Sequence, residues 1–182
     1  YLLQDMQDFE LYGTVRAVVS VCDRMNYVTE PEDLEYVFAL VNNYLDPGGL
    51  FIFDMNTIHK YRDVIGDRTI AEDREDGSFI WENSYDSENA LNVYELALFL
   101  PREDGLYEKC EEEHVQKAYS IEEVKVMIAK AGMELVAVYD AYTHTPGDEN
   151  CERLTFIARE HGKSAENDYH GNIPERARHT EE

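Results

Sequence analysis

Residues 15–57 read VRAVVSVCDRMNYVTEPEDLEYVFALVNNYLDPGGLFIFDMNT. Two short apolar runs, Val15 to Cys22 and Leu50 to Met55, bracket a segment of different period. Both runs are continuous rather than alternating, as strands covered on two faces read. Between them Leu34, Val37, Phe38, Val41 and Leu45 recur at helical spacing. Pro31, Glu32 and Asp33 supply a favourable first helical turn, and Asp46-Pro47-Gly48-Gly49 stops the helix and turns the chain. Strand, helix, strand defines a βαβ unit with a right-handed crossover and an α/β fold class.

Outward from this unit, Leu2 and Leu3 read as the tail of another strand ending at Gln4-Asp5-Met6. The chain opens on Tyr1 without an initiator Met, which suggests a piece of a longer protein whose sheet is truncated on its N-terminal side. Downstream, residues 79–86, 90–100 and 107–119 are strand-like, with turn signals at Asp86-Ser87-Glu88-Asn89 and Pro101-Arg102-Glu103-Asp104-Gly105. Connections this short predict antiparallel pairing, hence a three-stranded insertion over about residues 75–119. Ser120-Ile121-Glu122-Glu123 is a capping box. It opens a helix with a stripe of Ile121, Val124, Ile128 and Ala131, ended by Gly132. Leu135 to Tyr142 and Leu154 to Ala158 are two further strands, paired antiparallel, which brings the core sheet to about five. Residues 1–160 thus form one domain, and the polar stretch 161–182 reads as a flexible tail.

Of the 182 residues 43% are hydrophobic, enough for a real core, and the net charge is −23. A surface so acidic repels nucleic-acid polymers. The three cysteines, Cys22, Cys110 and Cys151, are widely spaced, so neither a disulfide scaffold nor a zinc site is indicated, and a cytoplasmic setting fits best. No apolar run approaches the roughly 18 residues of a membrane helix. The six histidines show no ligand spacing, and no metal is expected.

Ligands of open α/β sheets bind beyond the carboxyl ends of the parallel strands. Three such ends stand out: Asp5-Met6, Cys22 to Tyr27, and Asp54 to Thr57. The ordered set QDM, CDRMNYV and LDPGGLFIFDMNT, followed by FIWEN, EEEHVQKAYS and ERLTFIARE, resembles the later part of class I S-adenosylmethionine-dependent methyltransferases, in a bacterial subgroup. The resemblance covers roughly residues 1–160 and implies a Rossmann-like methyltransferase sheet carrying the antiparallel insertion as a lid. It implies S-adenosylmethionine as cofactor, S-adenosylhomocysteine as product and a small-molecule acceptor. Asp5 would then meet the adenine amino group, with Met6 on the ring. Cys22 and Asp23 would lie near the methionine moiety, and Asn26 and Tyr27 would line the way to the acceptor. Strand alternation puts Glu112, His114 and Gln116 on one face of the insertion and Phe79, Trp81 and Asn83 on another strand's shared face. Trp81, Asn83 and Gln116 are acceptor-pocket candidates, and His114 is the candidate base.

Each of these residues also has an ordinary reading. Asp5 suits a turn, Cys22 a small buried site and His114 a hydrogen-bonded sheet position. The glycine-rich strand-to-helix turn of such enzymes, and the acidic residue that would hold the ribose, do not occur in the sequence. A second hypothesis is therefore a non-catalytic methyltransferase-like module whose open sheet edge takes a partner or a second copy as a homodimer. A nicotinamide-dependent oxidoreductase is the weakest, because G-x-G-x-x-G is missing too.

Overall fold

The computed structural model describes residues 1–163; positions 164–182, most of the expected tail, lie outside the described residues. Helix α1 spans Pro31–Tyr44 and buries the expected Leu34, Val37, Phe38 and Val41, with Leu40 beside them, while Leu45 begins the next strand. It lies between strands β1 (Val15–Ser20) and β2 (Leu45–Asn56), which pair in parallel. β2 follows the helix directly. The Asp46 to Gly49 turn is folded into the start of the ladder as an irregularity, with Gly48 at φ 70.

On β2 every second residue faces the helices. Phe51 and Phe53 are wholly buried, and the Phe38 ring sits 5.7 and 5.1 Å from theirs. Phe53 also stacks on Phe156 at 5.1 Å. Helix α2 (Ile121–Lys130) completes this core with Val124, Met127 and Ile128. The Ser120 hydroxyl accepts from the Glu123 N–H while the Glu123 carboxylate accepts from the Ser120 N–H, so the capping box forms as read.

Among the described residues the core sheet has four strands in the order β1-β2-β8-β7, with β7 Met133–Asp140 and β8 Arg153–Glu160. β8 runs antiparallel to both neighbours. Two expectations are corrected. Leu2 and Leu3 form no strand; the segment turns back on itself, with Gln4 bonded twice to the Glu10 backbone and Leu3 fully exposed. Nor is β1 covered on both faces. Helices α1 and α2 share one core cluster on one side of the sheet, and Val19 is left 61% exposed.

The insertion is larger than expected. It is a four-stranded antiparallel meander of β3 (Arg68–Arg74), β4 (Gly77–Asp86), β5 (Leu91–Pro101) and β6 (Tyr107–Lys117). β3 carries Arg-Thr-Ile-Ala-Glu-Asp-Arg, too polar to show a strand period. A two-residue turn joins it to β4, ending on Gly77 at φ 150, where a Cβ would press on the Phe99 carbonyl at 3.1 Å. Of the expected tail, residues 161–163 are tied down: the Lys163 ammonium donates to the Asn42, Asn43 and Leu45 carbonyls at the end of α1.

Replacing Ser120 by Ala removes one half of the capping box. Because α2 carries its stripe into the main core, the loss of about 1 kcal/mol should be read globally, as a lower denaturant midpoint with an unchanged slope.

Candidate active site

β1 ends in a backbone irregularity that needs an explanation. Cys22 and Asp23, neither of them glycine, both adopt the left-handed conformation, at φ 65 and 51. Such pairs are strained and persist only when their surroundings hold them. The holder is Asp54 on β2, a carboxylate 2% exposed. It accepts the Asp23 N–H at 2.7 Å and the Cys22 N–H at 3.2 Å. Since N–H and C=O point oppositely across a trans peptide, turning these donors inward turns the Val21 and Cys22 carbonyls outward, as a rim of acceptors beside the exposed Cys22 side chain.

Arg153, from β8, spans two carboxylates: Nη2 lies 2.8 Å from Asp23 and Nη1 3.2 Å from Asp54. Burial opposes its charge, but the carboxylates outweigh it and raise its pKa. Asp23 also receives the Gln116 side-chain N–H at 2.7 Å, which joins the lid to this turn. Burial pushes the Tyr61 phenol far above its ordinary pKa, so it stays a donor at neutral pH. Tyr61 therefore gives its proton to the Gln116 oxygen at 2.9 Å and accepts from Asn56 Nδ2 at 3.1 Å. Asn56 in turn accepts from the Lys60 ammonium at 3.0 Å. Lys60 and Tyr61 belong to a π-helical turn, Lys60–Ile65, that the sequence did not announce.

A second cluster lies on the lid's inner face. Tyr27, on the 3-10 turn Arg24–Tyr27, meets His114 Nδ1 at 2.9 Å and the Tyr94 hydroxyl at 3.2 Å. His114 Nε2 lies 3.1 Å from the Glu112 carboxylate. The carboxylate can only accept, so a neutral imidazole carries its proton on Nε2 and presents a lone pair at Nδ1. Tyr27 then donates to His114, and Tyr94 donates to Tyr27. Burial, followed by the Tyr27 bond, raises the Tyr94 pKa and keeps that proton in place. The Tyr94 ring stacks on His114 at 4.5 Å and meets Trp81 at 5.0 Å.

The residues singled out in the sequence thus divide by position. Cys22 and Asp23 form the turn at the β1 end, and Tyr27, Trp81 and His114 gather around Tyr94 on the lid's inner face. Asn26, Asn83 and Gln116 are buried, with their amides consumed. Asn26 bonds the Asn56 and Lys117 backbone, Asn83 bonds Gly66 and Asn92, and Gln116 bonds Asp23 and Tyr61. These three amides, candidates for an acceptor pocket, have their hydrogen-bonding groups engaged within the protein. Asp5 is exposed, its carboxylate accepting the Gln7 N–H in a tight turn, and Met6 packs against the main core. Asp54 and Arg153 were missed. Asp54 reads as a strand-end acid, and Arg153 reaches it from 99 residues away.

Among the described residues no group of three or more His, Cys, Asp or Glu side chains could hold a metal ion, and no helix is long and apolar enough to cross a membrane.

A mixed α/β sheet with a strained turn at its parallel strand ends, under an antiparallel lid, defines a class of fold; comparison with known proteins narrows it. No family model matches the chain. Over 160 residues, 87% of the chain, it is 31% identical to YqeM of Bacillus subtilis (strain 168), a protein that carries a provisional methyltransferase name. The chain spans 64% of the length of that relative. A solved S-adenosylmethionine-dependent methyltransferase from Clostridium acetobutylicum shares its fold with a TM-score of 0.82 and 25% identity, over 88% of this chain and 64% of that one. CalS10 from Micromonospora echinaspora, an amino pentose methyltransferase solved with S-adenosylmethionine bound, has a TM-score of 0.65 at 17% identity, over 86% of this chain and 63% of its own. In sequence over 87% of its length, and in fold, the chain is similar to S-adenosylmethionine-dependent methyltransferases, and its sheet is Rossmann-like.

Tyr61→Phe should cost about 1–3 kcal/mol, because it strands a buried Asn56 donor and a buried Gln116 acceptor together. Tyr27→Phe, at a half-exposed site, should cost less; urea denaturation of the two variants side by side checks the order. Lys60 gives a pH signature. Burial, then Arg153, lowers its folded pKa below the ordinary 10.5. Between the two values the unfolded chain binds more protons, so this residue's contribution to stability rises with pH across that window. The stability difference between parent and Lys60→Met should therefore shift in the parent's favour from pH 7 toward pH 10.

Proposed function

We propose that the full-length protein is an enzyme that moves a methyl group from S-adenosylmethionine to a small-molecule acceptor held between the Cys22–Asp23 turn and the inner face of the lid. The observation that carries this reading is the strained, clamped turn at the end of β1, facing an aromatic and titratable lid surface in a chain similar to such enzymes. Residues 1–160 would be its methyltransferase portion, with the lid over the acceptor. The free cysteines suit a reducing cytoplasm.

The residues present fit part of the cofactor. Outward carbonyls at Val21 and Cys22 suit an ammonium such as that of its methionine end, and Asp5 and Met6 would meet the adenine, as the resemblance implies. The cofactor, when bound, supplies a methyl group that is already activated, which leaves the protein to align the acceptor, exclude water and take a proton where the acceptor has one to lose. Trp81 and Tyr94, whose rings meet at 5.0 Å, would give an amine or sugar-like acceptor an aromatic wall; CalS10 is an amino pentose methyltransferase of similar fold. The acceptor's proton passes to Tyr27 Oη as Tyr27's own proton moves to His114 Nδ1, and Glu112 stabilises the resulting imidazolium at Nε2.

Calorimetric titration of S-adenosylhomocysteine into the full-length protein should show saturable binding. A folded sample that takes none would reduce the protein to a methyltransferase-like binding module. With an acceptor in hand, His114→Gln should lower kcat about 100-fold and leave S-adenosylhomocysteine affinity unchanged.

A further inference from the structure

We propose that Arg153 is a positioning residue: by bridging Asp23 and Asp54 it keeps the Cys22–Asp23 turn in its left-handed shape and keeps the lid's Gln116 docked on that turn. The proposal rests on the methyl-transfer reading, because cofactor affinity is its readout.

Each carboxylate holds more than one group. Asp54 holds the N–H groups of Cys22 and Asp23, takes one guanidinium nitrogen of Arg153 and accepts from the Tyr142 hydroxyl at 3.3 Å. Asp23 takes the other nitrogen through Oδ1 and the Gln116 amide through Oδ2. Arg153 stands opposite Asn56 in the β2–β8 ladder, so its position is set by sheet register and not by the cleft. Its side chain is 18% exposed, Asp23's 19% and Asp54's 3%, so water screens little of what passes among them.

Without the guanidinium, two carboxylates would face each other across the space it occupied. Lys60 is the neighbouring cation, but its ammonium is bonded to Asn56. Like charges at that range repel, and the least costly relief is for Asp23 to swing outward. That movement releases a strained turn and pulls Gln116 with it. One arginine thus sets both the carbonyl rim on the cofactor side and the seating of the lid on the acceptor side. A lysine cannot repeat this, since a point charge does not span two carboxylates as a planar fork does.

The test uses the full-length protein and S-adenosylhomocysteine, with Arg153→Met, Arg153→Lys and the double variant Arg153→Met with Asp23→Asn. Each is measured by calorimetric titration and by thermal denaturation. Arg153→Met should bind roughly tenfold more weakly or worse, the scale seen when one partner of a desolvated pair is removed. Arg153→Lys should fall between it and the parent, and the double variant should recover part of the loss because the repulsion is gone. If Arg153→Met does not fold, Arg153→Lys and the double variant carry the comparison. Variants that melt at lower temperature yet bind as the parent does would show a merely structural arginine and overturn the proposal. A parent that does not bind at all would overturn the functional reading itself, a separate result.

Discussion

Asp54 points a carboxylate with almost no access to water at two consecutive backbone N–H groups, those of Cys22 and Asp23. Much of the site follows from this. Neither residue would choose a left-handed conformation unaided, and a buried carboxylate left without partners would be costly. Each problem answers the other. The turn supplies the carboxylate with donors, and the carboxylate supplies the turn with a reason to stay strained. Arg153 then balances the charge. A further consequence is directional: with the N–H groups turned in, the outward polar groups of the turn are carbonyls.

The lid is placed by polar groups more than by apolar packing. Its own small buried cluster is Tyr61, Ile65 and Ala118. Next to that run the ordered bonds Asn56 to Tyr61, Tyr61 to Gln116 and Gln116 to Asp23, with Asn26 fastening β6 to the end of β2. Buried amides have fixed donor and acceptor ends, so a network of this kind specifies one seating of the lid where a greasy contact would allow several. The face so positioned carries Glu112, His114, Tyr94 and Trp81 above Tyr27. A surface depression of about 460 Å³ lies on the outer face of the same sheet, among Glu82, Glu95, Lys109 and Glu113. It has neither the strained backbone nor the ordered titratable chain of the inner face.

Much of this architecture was legible in local sequence. Phe51 and Phe53, the 34-37-38-41 stripe, the Ser120–Glu123 box and the two later hairpin turns all state their structure within a few residues. The first hairpin was hidden because β3 is nearly all polar. Leu2 and Leu3 misled, since apolar residues make a strand only where a neighbour is available to pair. At the site, His114 could be picked out by type and strand alternation, whereas Tyr27 was indicated only by the resemblance. The roles of the amides could not: Asn26, Asn83 and Gln116 look the same in sequence whether they face a ligand or brace the wall behind it. Arg153 was illegible for a different reason. Its significance is a register, Asn56 opposite Arg153, and register between distant strands is not written in either one.

The position of the bound cofactor decides the role of the Cys22–Asp23 turn. A crystal structure of the full-length protein with S-adenosylhomocysteine measures that directly. The expected result is a ligand whose sulfur lies in the cleft between the Cys22–Asp23 turn and Tyr27, with the turn still left-handed and Asp54 still bonded to both N–H groups. A ligand bound away from that turn, or one that displaces Asp54 from it, would contradict the account.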